Sequence, residues 1–332
     1  MLRYIVHRLL IMIPTLIAIS LIIFVIIQLP PGDYFESYIA ELQSQGESVD
    51  LGKVEFLRRQ YGFDRPIMEQ YVFWVLGMLQ GDFGYSFEFS LPVSEVVGDR
   101  LYLTALVSFT TIVFTWIVSF PIGLYSAVRQ YSWGDYTLTF FGFIGLATPN
   151  FLLALVLLYL AHVVFGTSIG GLMDAQYIDQ PWTWAKAKSV LEHIWIPVVV
   201  IGTSGTAGMI RRLRANLLDE LEKQYVITAR AKGLSPLKLL LKYPFRLSLN
   251  FFIADIGSLL PSIISGAAVV EIVLSLPTTG PMLLGALRSQ DMYLAGSFLI
   301  FLAFLTVIGV LISDLALAML DPRIRLQGGT TR

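Results

Sequence analysis

Residues 9–29, "LLIMIPTLIAISLIIFVIIQL", decide what kind of protein this chain is. No side chain in the run is ionised. At a helical rise of about 1.5 Å per residue it covers the ~30 Å hydrocarbon core of a bilayer. Backbone in hydrocarbon must satisfy its own N–H and C=O groups, so the run must be helical. A secretory signal has a shorter apolar core, about 7–15 residues, ahead of a small-residue cleavage site. We therefore expect a retained first transmembrane helix, bent at Pro14.

The rest of the chain repeats the pattern. Its 332 residues are 55% hydrophobic and 14% charged, with a mean hydropathy of +0.70. A soluble domain carries about a quarter charged residues. Further apolar segments occur at about 101–127, 137–165, 193–213, 247–276 and 293–320, each long enough to span. The expected fold is an all-α integral membrane protein of six transmembrane helices. The chain has no cysteine, which excludes disulfides and thiolate metal sites. His162 and His193 are too isolated in sequence to argue a metal.

Lys and Arg set the orientation. With both termini cytoplasmic, the inner segments hold fifteen basic residues and the outer ones eight. Twelve acids fall between Asp33 and Asp99, on the outer side of this topology. The expected division is 1–29 for the N-terminus and first span, and 30–98 for a helical extracytoplasmic insertion. Residues 99–320 carry spans two to six with the cytoplasmic loop 211–246, and 321–332 are a cytoplasmic tail. Within the insertion, "VEFLRRQYGFDRPIMEQYVFWVLGML" (54–79) predicts two short extramembrane helices, the second opened by Pro66. "GDFGYSFEFSLP" (81–92) reads as turns. The insertion is either a cap over helix ends or a docking surface.

Asp255, Glu271 and Asp314 fall within expected spans. Carboxylates at that depth normally face protein or water. They either line or gate a solute path, or pack helices together.

The most basic stretch is 211–246. "RRLRANLLDELEK" (211–223) carries the fourth span past its inner boundary. "QYVITARAK" (224–232) continues as a helix that Gly233 ends, since glycine adopts left-handed geometry without strain. Ser235 and Pro236 suit the N-cap and first position of a new helix. Small residues (Thr228, Ala229, Ala231) beside Arg230 and Lys232 suit a short helix docked in another protein's groove. A solvated basic loop near anionic lipid is the other reading.

"YVITARAKGLS" (225–235) resembles the coupling loop of binding-protein-dependent ABC importer permeases, most closely those for dipeptides and oligopeptides. Tyr225, Val226, Thr228, Ala229, Arg230, Ala231, Lys232, Gly233 and Leu234 match the subfamily pattern. Ile227 stands where that pattern is often basic. "RYIVHRLL" (3–10), "QYGFDRPIMEQY" (60–71), "GDFGYSF" (81–87) and "LALAMLDPRIR" (315–325) also resemble this subfamily. So does "SGAAVVEIVLSLPTTGPMLLGAL" (265–287), although "LPTTGP" departs from its commoner Phe-x-x-Pro-Gly-x-Gly.

The resemblance implies a permease whose 225–234 segment is a coupling helix seated in an ATP-binding subunit. It implies a bacterial or archaeal cytoplasmic (inner) membrane location. The implied partners are a second homologous permease, two ATP-binding subunits and an extracytoplasmic solute-binding protein, with no nucleic acid. The chain lacks a Gly-x-x-x-x-Gly-Lys-Ser/Thr loop, so ATP and Mg would be bound by partners, with no cofactor or catalytic residue here. The implied solute is a peptide. Aromatic residues in "QYIDQPWTW" (176–184) and "YVFW" (71–74) keep an oligosaccharide open, although such residues also anchor proteins at membrane interfaces. A stand-alone channel or secondary transporter would show internal repeats, and the sequence has no clear one.

Overall fold

The computed structural model of the chain describes residues 2–30, 51–166, 170–177, 180–254 and 268–320, together with 32, 34–36, 39 and 43. The architecture is helical. α1 (Leu2–Gln28) runs through Pro14 as one helix. α2 (Leu51–Gln60) and α3 (Ile67–Leu79) follow, with Pro66 extended at the cap of the second. The turn segment contains a hairpin of β1 (Tyr85–Ser86) and β2 (Leu91–Pro92), pairing Tyr85 with Pro92.

α4 (Val93–Val128) and α7 (Trp184–Leu221) are the two longest helices and pack most extensively on each other. Small polar side chains let them approach closely. Thr115 donates to the Gly202 carbonyl and Ser119 to the Thr206 carbonyl, both at 3.4 Å. α5 (Trp133–Ala147) and α6 (Asn150–Phe165) flank α7.

The apolar segment 137–165 is not one straight helix. α5 and α6 meet at 98°. Thr148, ahead of Pro149, is extended (φ −78°, ψ 123°). The ring of a proline disfavours helical geometry at the preceding residue, which explains the break.

α7 outruns its apolar segment at both ends. Beyond it come α8 (Gln224–Ala231), α9 (Pro236–Lys242), α10 (Pro244–Ser248) and α11 (Asn250–Ala254). α12 (Ala268–Val273), α13 (Thr279–Arg288) and α14 (Met292–Leu320) complete the chain, with α14 packed along α1. The middle of the expected fifth span, 255–267 of 247–276, lies outside the described residues. Among those described, four helices are long and apolar enough to cross a membrane: Leu10–Gln28 of α1, α4, α7 and Met292–Leu315 of α14. The bent pair α5–α6 is a further candidate.

Segments expected on one side of the membrane meet one another. Arg214 of α7 pairs with the buried Asp135 of α5 at 3.0 Å. Arg8 of α1 lies 3.1 Å from Asp314 of α14, near enough for an ion pair though not aligned as a hydrogen bond. At the other ends, Tyr293 donates to the Tyr61 carbonyl at 2.6 Å and Ser297 to the Phe83 carbonyl at 2.9 Å. A core of Phe24, Phe35, Trp74, Phe87 and Phe298 thereby joins the 30–98 segment to α1 and α14.

Candidate functional site

The α8 segment is built by two sharp breaks. Lys223 is extended (φ −69°, ψ 146°), which separates α8 from α7. At the other end Gly233 is left-handed, with φ +78°. The Gly233 N–H donates to Arg230 O at 3.0 Å, and the Leu234 N–H to Ala229 O at 3.4 Å. These paired bonds are the Schellman termination, which satisfies carbonyls that a helix end leaves open. A Cβ at Gly233 would meet nothing within 4 Å, so the demand for glycine there is one of backbone conformation, not space. Ser235 is extended at the start of α9, but its side chain makes no capping bond; its carbonyl accepts from Leu239 at 2.9 Å.

One face of α8 is turned into the chain's own packing. Val226 and Ala229, three residues apart, are 0% and 6% exposed and contact Leu239, Tyr225, Leu234 and Tyr243. The Tyr225 hydroxyl donates to the Glu220 carboxylate. Burial, then that bond and the Glu220 charge, hold the Tyr225 phenol well above its ordinary pKa. The opposite face is open: Ile227, Thr228, Arg230, Ala231 and Lys232 are exposed. The small residues expected to act together are thus divided. Ala229 packs inward, while Thr228 and Ala231 share the outward side with Ile227. The sequence signal for the inner face is the i, i+3 spacing of Val226 and Ala229.

The outward face carries two cations around a small apolar ridge. It has the shape and charge to seat in a groove of another protein.

The acidic residues scatter. Glu271 is 1% exposed on α12, and a Cβ on Gly280 would run into its carboxylate. It sits beneath the start of α13, where the Thr279 N–H donates to Thr104 Oγ1 at 3.0 Å. Asp314 faces Arg8 across the α1–α14 seam, so the structure does not bring it to Glu271. Asp255 lies outside the described residues. Sequence reasoning passed over Asp291. It is fully buried ahead of α14, and its carboxylate accepts from Ser86 Oγ at 2.7 Å, Glu88 N at 3.1 Å and Leu294 N at 3.2 Å. The signal was present as an acid directly before an apolar run, the N-cap position. Asp135 was missed in the same way, one turn into α5 and after the Ser132 cap.

A cavity of about 770 Å³ opens between the start of α4, the 171–186 segment and the loop before α13. Arg100, Tyr102, Trp182, Lys186 and Ser275 line it. The Tyr102 and Trp182 rings meet edge to face at 5.4 Å. Lys186 donates to the Gln180 carbonyl at 2.6 Å and lies 5.5 Å over the Trp182 ring. His193 bonds the Ser189 carbonyl through Nδ1 at 2.7 Å and lies 3.7 Å from Asp174. No cluster of three or more potential metal ligands occurs among the described residues.

Known proteins give this arrangement a context. A family described as "Binding-protein-dependent transport system inner membrane component" matches residues 119–326. Its N-terminal companion, "Binding-prot-dependent transport system membrane comp, N-term", matches residues 1–110. The chain is 35% identical over 326 residues to the oligopeptide transport system permease protein AppB of Bacillus subtilis, covering 98% of this chain and 99% of that one. It is 27% identical over 341 residues to the dipeptide transport system permease protein DppB of Escherichia coli, covering 98% and 99%. It is 29% identical over 356 residues to the peptidoglycan transport system permease protein YejB of Agrobacterium fabrum, covering 97% of each. Long apolar helices and these full-length matches together establish that the chain belongs to the binding-protein-dependent transport family, as a multi-pass inner-membrane component.

Proposed function

We propose that the chain is a permease subunit of an ATP-driven importer for short peptides. It would contribute six spans with both termini cytoplasmic and work beside a second permease. Two ATP-binding subunits would supply the hydrolysis, and an extracytoplasmic binding protein the solute. The topology is supported by the meeting of like-sided segments: 129–135 with 211–214, and 61–89 with 291–297. The solute class is supported by the oligopeptide and dipeptide relatives.

The observation that carries the reading is the two-faced α8. Its inner face is anchored on α9, and its outer face presents Ile227, Thr228 and Ala231 between Arg230 and Lys232. A rigid body of this kind can pass movement of a seated ATPase through α9 to the spans. Asp314 and Glu271 we read as packing carboxylates, one tying α1 to α14 and the other filling space under α13.

The test uses Ala231→Trp, with Leu237→Trp on the exposed side of α9 as the control. Ala231→Trp is expected to lower co-purification of the ATP-binding subunits and peptide-stimulated ATP hydrolysis at least tenfold, while insertion is unchanged. Wild-type coupling in that variant would remove α8 as the coupling element.

An oligosaccharide-containing solute is the second reading. The Tyr102–Trp182 pair at the cavity offers a stacking face, and a relative is named for peptidoglycan transport. Calorimetry of the cognate binding protein with peptides, muropeptides and glycans separates the two.

A further inference from the structure

α3 belongs to the segment read from sequence as extramembrane, yet its contacts are with the Gln28 half of α1 and the first turns of α14, both membrane-spanning helices. Tyr71 of α3 shares a 2.7 Å hydrogen bond with Ser20 of α1. The apolar stretch of α1 runs from Leu10 to Gln28, so Ser20 is about 12 Å inward from Gln28 at the helical rise. That is close to the centre of a ~30 Å hydrocarbon layer. One turn on, the Trp74 ring lies 5.9 Å from Phe24, and its Nε1 donates to Ser297 of α14 at 3.2 Å. Gly296 has no side chain because the Trp74 ring occupies that space. Gln70 accepts from Gln28 at 3.2 Å, at the end of α1. The side chains of α3 therefore reach from the end of α1 almost to its middle.

The side of α3 turned away from α1 and α14 is apolar as well. Met68, Val72, Leu76 and Leu79 form one exposed row, with Phe73 beside it. Glu69, in the first turn, is the only ionised residue of the helix. Arg65, just ahead of the helix, stacks over Phe73 at 4.9 Å. A helix that is apolar all round is a buried or membrane helix. Leu21, Ile22, Val25 and Ile26, in the same half of α1 as the α3 contacts, are exposed as well. The α3 row holds no Gly, Ala or Ser, the residues that let a second transmembrane helix approach closely.

We propose that α3 is seated in the leaflet opposite Arg8, with Met68, Val72, Leu76 and Leu79 against lipid acyl chains. The inference needs only that α1 and α14 cross the membrane, and stands whatever the solute. α3 then works as a half-depth buttress that fixes the outer ends of α1 and α14 in lipid.

The natural absence of cysteine makes the test clean. Val72→Cys and Leu76→Cys are spin-labelled in the assembled transporter in lipid nanodiscs, with Phe56→Cys on α2 as the aqueous reference. Collision with oxygen is expected to exceed collision with a water-soluble nickel chelate several-fold at 72 and 76, and the order to reverse at 56. A nickel-dominated signal at 72 and 76 would overturn the proposal. So would labels shielded from both reagents, which would mean that another subunit covers the row. Should the variants not assemble, the wild-type complex is photolabelled with an acyl-chain diazirine lipid. Adducts within 67–79 are expected, and their absence overturns the proposal.

Discussion

Gly233 shows how a single residue can hold an element in place. Its φ of +78° is left-handed, and the space around a Cβ is empty, so substitution is opposed by backbone conformation alone. That conformation costs about 1–2 kcal/mol for an ordinary L-residue, and less for asparagine. Gly233→Val should open the α8–α9 corner about 5–30 times more often, and Gly233→Asn much less. Limited trypsinolysis at the exposed Arg230 and Lys232 reads the difference as a cleavage rate. Equal rates in the two variants would mean that the corner is held by something other than this turn. The sequence announced this position clearly, since a Gly-x-Ser-Pro string between helices has few other uses. It did not announce which side of α8 is free, because Thr228, Ala229 and Ala231 are alike in size. Only the neighbours Leu239 and Tyr243, brought round by the turn, decide that Ala229 faces inward.

The same limit operates on whole elements. Long apolar runs translated directly into α1, α4, α7 and α14, because hydrocarbon leaves the backbone no alternative to a helix. The segment 137–165 did not, since hydropathy has no term for the conformation that Pro149 imposes on Thr148. Hydropathy alone cannot place α3 in water or in lipid, because a run of 13 residues is too short to span. The hairpin β1–β2 was legible as turns but not as an anchored unit, since its partner Asp291 is about two hundred residues away. Asp291 binds Ser86, Glu88 and the first turn of α14 at once. Asp291→Ala strands those donors in a buried site and should cost about 1–3 kcal/mol. Burial raises the Asp291 carboxyl above its ordinary pKa, and hydrogen bonds from Ser86, Glu88 and Leu294 offset this only in part. The folded state therefore holds the proton more tightly than the unfolded chain. The contribution of Asp291 to stability should be largest below an ordinary aspartate pKa of about 3.9 and be lost as pH rises through the raised folded value. Thermal melts across that range should show it as a stability difference, wild type minus Asp291→Asn, that falls as pH rises. A difference that rises with pH would contradict the assignment.

At the scale of the molecule the described residues form two large packing centres, beside smaller ones around Leu217 and Val226. One is the α4–α7 pair with α5 and α6, the other α1 and α14 with the 30–98 segment. The second pair is tied at both ends. The aromatic cluster and Asp291 secure one end, and Arg8 with Asp314 the other. Arg8 and Asp314 are 41% and 20% exposed, so neither is sealed from headgroups or water. Their coupling should sit in the range of about 0.5–3 kcal/mol found for contacting charges. A thermal-denaturation cycle with Arg8→Gln, Asp314→Asn and the double variant measures it. The single variants should each lose more than half of what the double variant loses, because either removes the same Arg8–Asp314 attraction at the apolar seam. The swap Arg8→Asp with Asp314→Arg should recover part of the loss. It also moves a cation from the first helix to the last without changing the positive charge on that side, so the orientation should survive. Additive losses, with no recovery in the swap, would mean that the two helices are held by side-chain packing alone.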